Sequence, residues 1–183
     1  MFNCIKCDNN IFRNLIDGEW VSSKKGEFIE IFSPIDDSLI GKVPAMTKEE
    51  VDFVFETSKA AQLKWKNVPV NERAEILYKA ADILLANSDE LTEIMVREIG
   101  KDKKSSKSEI SRTADFIRFT ADTAKNMSGE SIPGDSFPGF NRNKISVVTR
   151  EPLGVVLAIS PFNYPVNLSA SKIAPAIVAG NSV

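Results

Sequence analysis

The sequence predicts an α/β protein in which an N-terminal helical layer with short β-strands leads into the first β-α unit of a truncated, Rossmann-like parallel sheet. Three observations predict it. The run Gly154-Val155-Val156-Leu157-Ala158-Ile159 is continuously apolar, as a strand covered on both faces must be. A polar turn bracketed by Pro161 and Pro165 follows, then an Ala-rich helical stretch ending at Gly180, which together read as a β-turn-α unit with its ligand at the turn. Upstream, successive stretches between Thr47 and Met127 repeat their apolar residues at helical spacing.

In chain order, Asn14 to Val21 reads as a β-hairpin around Asp17-Gly18, a dipeptide that accepts the positive φ of a type I′ turn. Phe28 to Phe32 and Leu39 to Val43 are short strands separated by Ser33-Pro34 and Asp36-Asp37. Thr47-Lys48-Glu49-Glu50 forms a capping box, and the helix it opens carries Val51, Val54, Phe55, Ser58, Ala61 and Trp65 as one buried stripe. Asn71 caps a second helix, with Ile76, Leu77, Ala80 and Leu84 on its stripe and Ala81 and Leu85 beside it. A third helix runs from Asp89 through Ile99 and closes at Gly100. The fourth spans Ser106 to Met127 with Ile110, Ala114, Ile117, Ala121 and Ala124 inward and Arg112 off the stripe. Gly129 to Gly139, rich in Pro and Gly, reads as a loop, and Lys144 to Arg150 as a strand. No repeat of solenoid period occurs.

Composition removes several function classes. A net charge of -2 offers no cationic surface for a nucleic acid, and the basic stretch Lys101 to Lys107 is broken by Asp102 and serines, so it reads as a solvated helix start. No apolar run spans a bilayer and the first residues carry no apolar leader, which predicts a soluble, cytoplasmic protein without membrane or nucleic-acid partners. Cys4 and Cys7 are spaced C-x-x-C, but with no histidine and no third cysteine they cannot close a tetrahedral metal site. No strand precedes them either, so residues 1–13 read as a flexible tail with incidental thiols. The absence of histidine also excludes Ser-His-Asp and Cys-His catalysis. Chemistry here must use amides, carboxylates or arginine.

The turn Ser160 to Pro165 holds the chemical lead. Asn163 places a side-chain amide at the mouth of the apolar strand, where a convergent donor can meet a developing oxyanion. The plainer alternative is that Asn163 caps the following helix.

The residues EPLGVVLAISPFNYPVNLSASKIAPAIVAGNSV resemble the aldehyde dehydrogenase superfamily, and the resemblance continues back through ERAEILYKAADIL and VPAMTKEEVDFVFETSKAAQLKW to the NLIDGEWV hairpin. SEISRTADFIR, SFPG and SPFNYP are most similar to the non-phosphorylating, usually NADP-dependent glyceraldehyde-3-phosphate dehydrogenases. In such enzymes a cysteine thiolate attacks the aldehyde, a hydride passes to the nicotinamide, and a glutamate-activated water hydrolyses the thioester. The resemblance implies that Asn163 donates to the oxyanion and that Arg112 and Tyr164 hold the substrate's phosphate. It also implies that Ile159, Ser160, Pro161 and Phe162 line the cleft for NADP or NAD; Lys172 matches a family lysine without an assigned role.

The resemblance divides the chain into the tail, a helical and hairpin part of the cofactor-binding domain (14–143), an oligomerisation-type strand and turn (144–153), and the start of the sheet (154–183). A dimer or tetramer is implied for the complete protein. The family's nucleophilic cysteine, general-base glutamate and adenosine-binding lysine match nothing here, and Cys4 and Cys7 do not replace that cysteine. The 183-residue chain is therefore expected to be the N-terminal portion of such an enzyme, inactive by itself. A sheet cut after one unit would leave open edges and an uncovered helix face, so poor folding cooperativity is also expected. The rival readings are a lactaldehyde or semialdehyde dehydrogenase, or a non-catalytic fragment.

Overall fold

A computed structural model describes residues 10–139 and 141–183. The first elements are a hairpin, β1 (Asn14–Ile16) and β2 (Glu19–Val21), paired antiparallel with Ile16 opposite Glu19. Asp17 and Gly18 take φ of 52° and 80°, the two left-handed positions the hairpin turn requires. Strands β3 (Phe28–Phe32) and β4 (Leu39–Pro44) form a second antiparallel pair. Ile11 bridges Lys42 in parallel, and the Phe12 N–H donates to the Lys42 carbonyl at 2.7 Å. The tail expected over 1–13 is thus pinned to β4 at its end; Cys4 and Cys7 lie outside the described residues.

The capping box forms at α1 (Lys48–Trp65) as the sequence predicts, and it reaches further than its own helix. Glu50 accepts the N–H of Thr47 at 2.9 Å and of Lys24 at 2.7 Å, and the Ser23 hydroxyl donates to it at 2.8 Å. Those two amide donors, Thr47 first, hold the Glu50 carboxyl below the usual range. The buried stripe expected on α1 is not found: Val51, Phe55 and Ala61 are exposed, and Gln62 is the buried residue. Polar anchors fix the helix instead. Gln62 Nε2 donates to the Gly180 carbonyl at 3.1 Å, Trp65 Nε1 to the Ile177 carbonyl at 2.9 Å, and Ser182 Oγ to the Ser58 carbonyl at 2.8 Å.

Helices α2 (Val70–Ala86), α3 (Ser88–Ile99) and α4 (Lys103–Lys125) follow. Helix α2 starts ahead of the expected Asn71 cap, behind Pro69, and Ile76 of its predicted stripe is exposed. On α4 all five predicted inward positions, Ile110, Ala114, Ile117, Ala121 and Ala124, are buried. The central core joins Ala74, Leu77 and Ala81 of α2 to Ala114, Ile117, Ala121 and Ala124 of α4 and to Ala174 and Val178 of α5 (Pro165–Val178). Small residues on three facing helices let their backbones approach closely. Leu77→Ala is expected to cost about 2–5 kcal/mol, read as a lower denaturant midpoint of the complete protein at unchanged slope.

Helix α5, assigned from sequence to the sheet unit 154–183, shares this core with the helical layer. The uncovered face expected on it is closed on the side of Ala174 and Val178, while Ile173 remains exposed. The Gly129 to Gly139 loop is also corrected. It contains strand β5 (Glu130–Pro133), antiparallel to β6 (Ile145–Val148), and a single 3₁₀ turn at Gly134–Ser136. Gly129 explains the close approach, since a Cβ there would stand 2.1 Å from the Val148 carbonyl oxygen.

The strand expected over 154–159 reduces to one parallel bridge, Val155 to Ser182. The Ser182 N–H donates to Gly154 and the Val156 N–H to Ser182, at 3.0 and 2.9 Å. Buried Asn181 secures this crossover by accepting the Gly154 N–H at 2.8 Å and donating to the Ala176 carbonyl at 3.1 Å. From Leu157 to Phe162 no backbone pairing continues among the described residues, and Leu157 is 68% exposed. An apolar run needs neighbouring strands to become a sheet, and residues 181–183 offer only one short partner.

Candidate active site

Pro165 opens α5 with a fixed φ suited to the first helical position, but no side chain of the preceding turn caps the helix. The cap comes from α4. Glu109 Oε1 accepts the backbone N–H groups of Val166 and Asn167, each at 3.0 Å. Its Oε2 takes the Lys101 ammonium at 2.5 Å. This ion pair is buried, with the Lys101 and Glu109 side chains 14% and 1% exposed.

Lys101 has two further contacts. Its Nζ donates to the Asn163 carbonyl at 3.0 Å and lies 3.7 Å from the centre of the Tyr164 ring. One ammonium therefore ties the α3–α4 connection, the α4 carboxylate and the turn before α5 together. Thr113, one helical turn beyond Glu109, accepts from Asn167 Nδ2 at 3.2 Å and donates to the Glu109 carbonyl at 2.7 Å. Asp102, the N-cap of α4, is held below the usual carboxylate range by the hydroxyl and then the N–H of Ser105.

The Asn163 backbone is anchored, whereas its side chain is exposed and makes no hydrogen bond among the described residues. It does not cap α5, because Glu109 holds the amides a cap would take. Tyr164 stands beside it with its ring against Lys101. Arg112 is exposed on α4, three positions past Glu109, and has no ion pair among the described residues. Lys101 holds the adjacent Asn163 and Tyr164, and Arg112 lies one helical turn past Glu109, the residue that anchors the start of α5.

Residues Ile159 to Phe162 form an open ledge ahead of this turn, with Ile159 71% and Phe162 85% exposed. From Leu157 to Phe162 the backbone polar groups make no backbone hydrogen bond among the described residues, so unspent donors and acceptors lie next to an exposed aromatic ring. That donor set fits a ligand that is part flat ring and part polar, as a nicotinamide nucleotide is. The Ser160 and Ser169 hydroxyls lie 2.8 Å apart. Lys172 turns back onto the Leu168 carbonyl at 2.9 Å and does not join the site.

Sequence reasoning missed Lys101 and Glu109. By sequence Lys101 belongs to a solvated basic stretch and Glu109 lies beside the apolar stripe of α4; the contacts that distinguish them, to Asn163 and Val166, lie far along the chain. A groove of about 700 Å³ lies elsewhere, between α2, the second half of α4 and residues 149–153, and contains none of the predicted site residues. Among the described residues no three His, Cys, Asp or Glu side chains gather to hold a metal ion, and no helix is long and apolar enough to cross a membrane.

The aldehyde dehydrogenase family model matches residues 20–183. The chain belongs to the aldehyde dehydrogenase family. It is 46% identical over 172 residues to the NADP-dependent glyceraldehyde-3-phosphate dehydrogenase of Streptococcus equinus, covering 94% of this chain and 36% of that protein. The enzyme of the same name from Arabidopsis thaliana is 45% identical over 178 residues, covering 96% and 36%. The crystal structure of the NADP-dependent glyceraldehyde-3-phosphate dehydrogenase of Bacillus halodurans C-125, complexed with NADP, superposes with a TM-score of 0.90 at 50% identity, covering 92% of this chain and 36% of that one. The chain therefore spans about a third of the length of the family members it matches.

Proposed function

We propose that this chain forms the oxyanion and substrate-phosphate side of an aldehyde dehydrogenase that oxidises glyceraldehyde 3-phosphate to the corresponding acid with NADP. The observation that carries the proposal is the turn before α5: its backbone is clamped, and the Asn163 amide is left free to donate. Bound NADP supplies the hydride acceptor. Within the chain, Asn163 donates an N–H to the carbonyl oxygen of the aldehyde as negative charge grows on it. Arg112 offers a planar fork of donors to the phosphate, with the Tyr164 phenol as a second donor. The ledge Ile159, Ser160, Pro161 and Phe162 lines the nucleotide cleft, with Phe162 available to cover a flat ring.

In this reading residues 154–183 begin a Rossmann-like parallel sheet, which the single parallel crossover from Val155 through α5 to Ser182 supports. The complete protein is a cytoplasmic dimer or tetramer, with strand β6, exposed at all four residues, as the joining edge. The test assays the complete protein with glyceraldehyde 3-phosphate and with lactaldehyde, each with NADP and with NAD. Highest kcat/KM is expected for the phosphorylated aldehyde with NADP. A preference for lactaldehyde would assign the site to a neutral aldehyde, and no oxidation of either would overturn the dehydrogenase reading.

A further inference from the structure

We propose that Lys101 and Glu109 are positioning residues, a buried ion pair that sets the Asn163 amide at its working angle by gripping the turn from both sides. The inference rests on the dehydrogenase reading for its catalytic consequence. Its physical basis is independent of that reading. Glu109 holds the first two free amides of α5 with one oxygen and Lys101 with the other. Lys101 holds the Asn163 carbonyl and the face of the Tyr164 ring. The turn Phe162 to Tyr164 has no strand pairing, and no side-chain cap of its own secures the helix after it. Without the pair, the peptide that carries Asn163 keeps its chemistry but loses the contact that fixes its direction.

Truncating one partner of so buried an ion pair to alanine would strip its hydrogen bonds as well as its charge and destabilise the fold. The double substitution Lys101→Met with Glu109→Gln removes both charges and keeps the shapes. Expected in the complete enzyme is a fall of about tenfold in kcat with a melting temperature close to the parent, since misplacing a donor is costly even where binding survives. The decisive readout is coupling. Asn163→Ala should cost much less on the double variant than on the parent, because the amide is already misdirected there; independent sites would show additive losses. Additive losses, or a kcat within twofold of the parent, overturn the proposal.

Glu109→Gln alone serves as the second variant. Its amide oxygen can still accept from Val166 or Asn167, and Lys101 is free to swing toward water. A loss of about threefold with the same non-additivity toward Asn163→Ala is expected; additivity overturns the proposal even if the double variant does not fold. Amide hydrogen exchange gives a readout besides activity. Exchange at Val166 and Asn167 should quicken by about tenfold in the Glu109 variant while the α4 core stays protected. Unchanged exchange would refute the clamp. A parent enzyme that oxidises no aldehyde would refute the dehydrogenase reading instead, and the exchange rates would still decide whether the pair holds the turn.

Discussion

Asn163→Ala in the complete protein is expected to lower kcat for aldehyde oxidation by about 10²–10³, the loss that follows removal of one preorganised oxyanion donor. Because the side chain is exposed and unbonded among the described residues, nothing in the packing should change, and the shift in stability should stay within about 0.5 kcal/mol. The KM for the aldehyde should move little, since the interaction strengthens only as the oxygen turns anionic. Steady-state kinetics beside a thermal melt decide the matter. A variant that melts like the parent and turns over at more than a third of its rate would remove Asn163 from the chemistry.

The second large effect is a split between substrates. Arg112→Ala is expected to raise KM for glyceraldehyde 3-phosphate by about 10–100-fold, the equivalent of losing charge-assisted hydrogen bonds of about 1.5–3 kcal/mol. For lactaldehyde, which carries no phosphate, KM and kcat should remain as in the parent. Arg112→Lys should recover only part of the loss, because an ammonium keeps the charge and loses the fork. Equal damage to both substrates would show that Arg112 supports the helix rather than the phosphate.

Local rules made much of this chain legible. The Asp17-Gly18 hairpin, the Thr47 to Glu50 capping box, the Gly100 stop and the α4 stripe each depend on residues within a few positions of one another, and each is present. Failures came where pairing is distant or absent. The apolar stripe of α1 meets no facing stripe, so Gln62, Trp65 and Ser58 hold the helix through polar contacts to Ile177 of α5 and to Gly180 and Ser182 just after it. Residues 154–159 have the composition of an inner strand, yet their partners are limited to the last residues of the chain.

In the candidate site, the proposed role of Asn163 is legible from its chemistry and from the resemblance, and those of Tyr164 and Arg112 from the resemblance alone. Their support is not. Lys101 looked like one of several lysines at a helix start, and its distinction lies only in facing Glu109 and the Asn163 carbonyl. A buried charge pair leaves little trace in sequence when its members sit on opposite sides of a helix start and their shared target lies on another element. The one local hint is Glu109 followed by Thr113 beside the α4 stripe, polar residues on the buried face of the helix.

Glu109 also bears on how the nucleotide can be held. In many parallel crossovers the leading helix greets a pyrophosphate with its free amides and the positive end of its dipole, and a glycine-rich loop lets the anion come close. At α5 an internal anion has already occupied that berth. A dinucleotide must therefore lay its phosphates away from this helix tip, and a chain built so has no use for a G-x-G-x-x-G loop here.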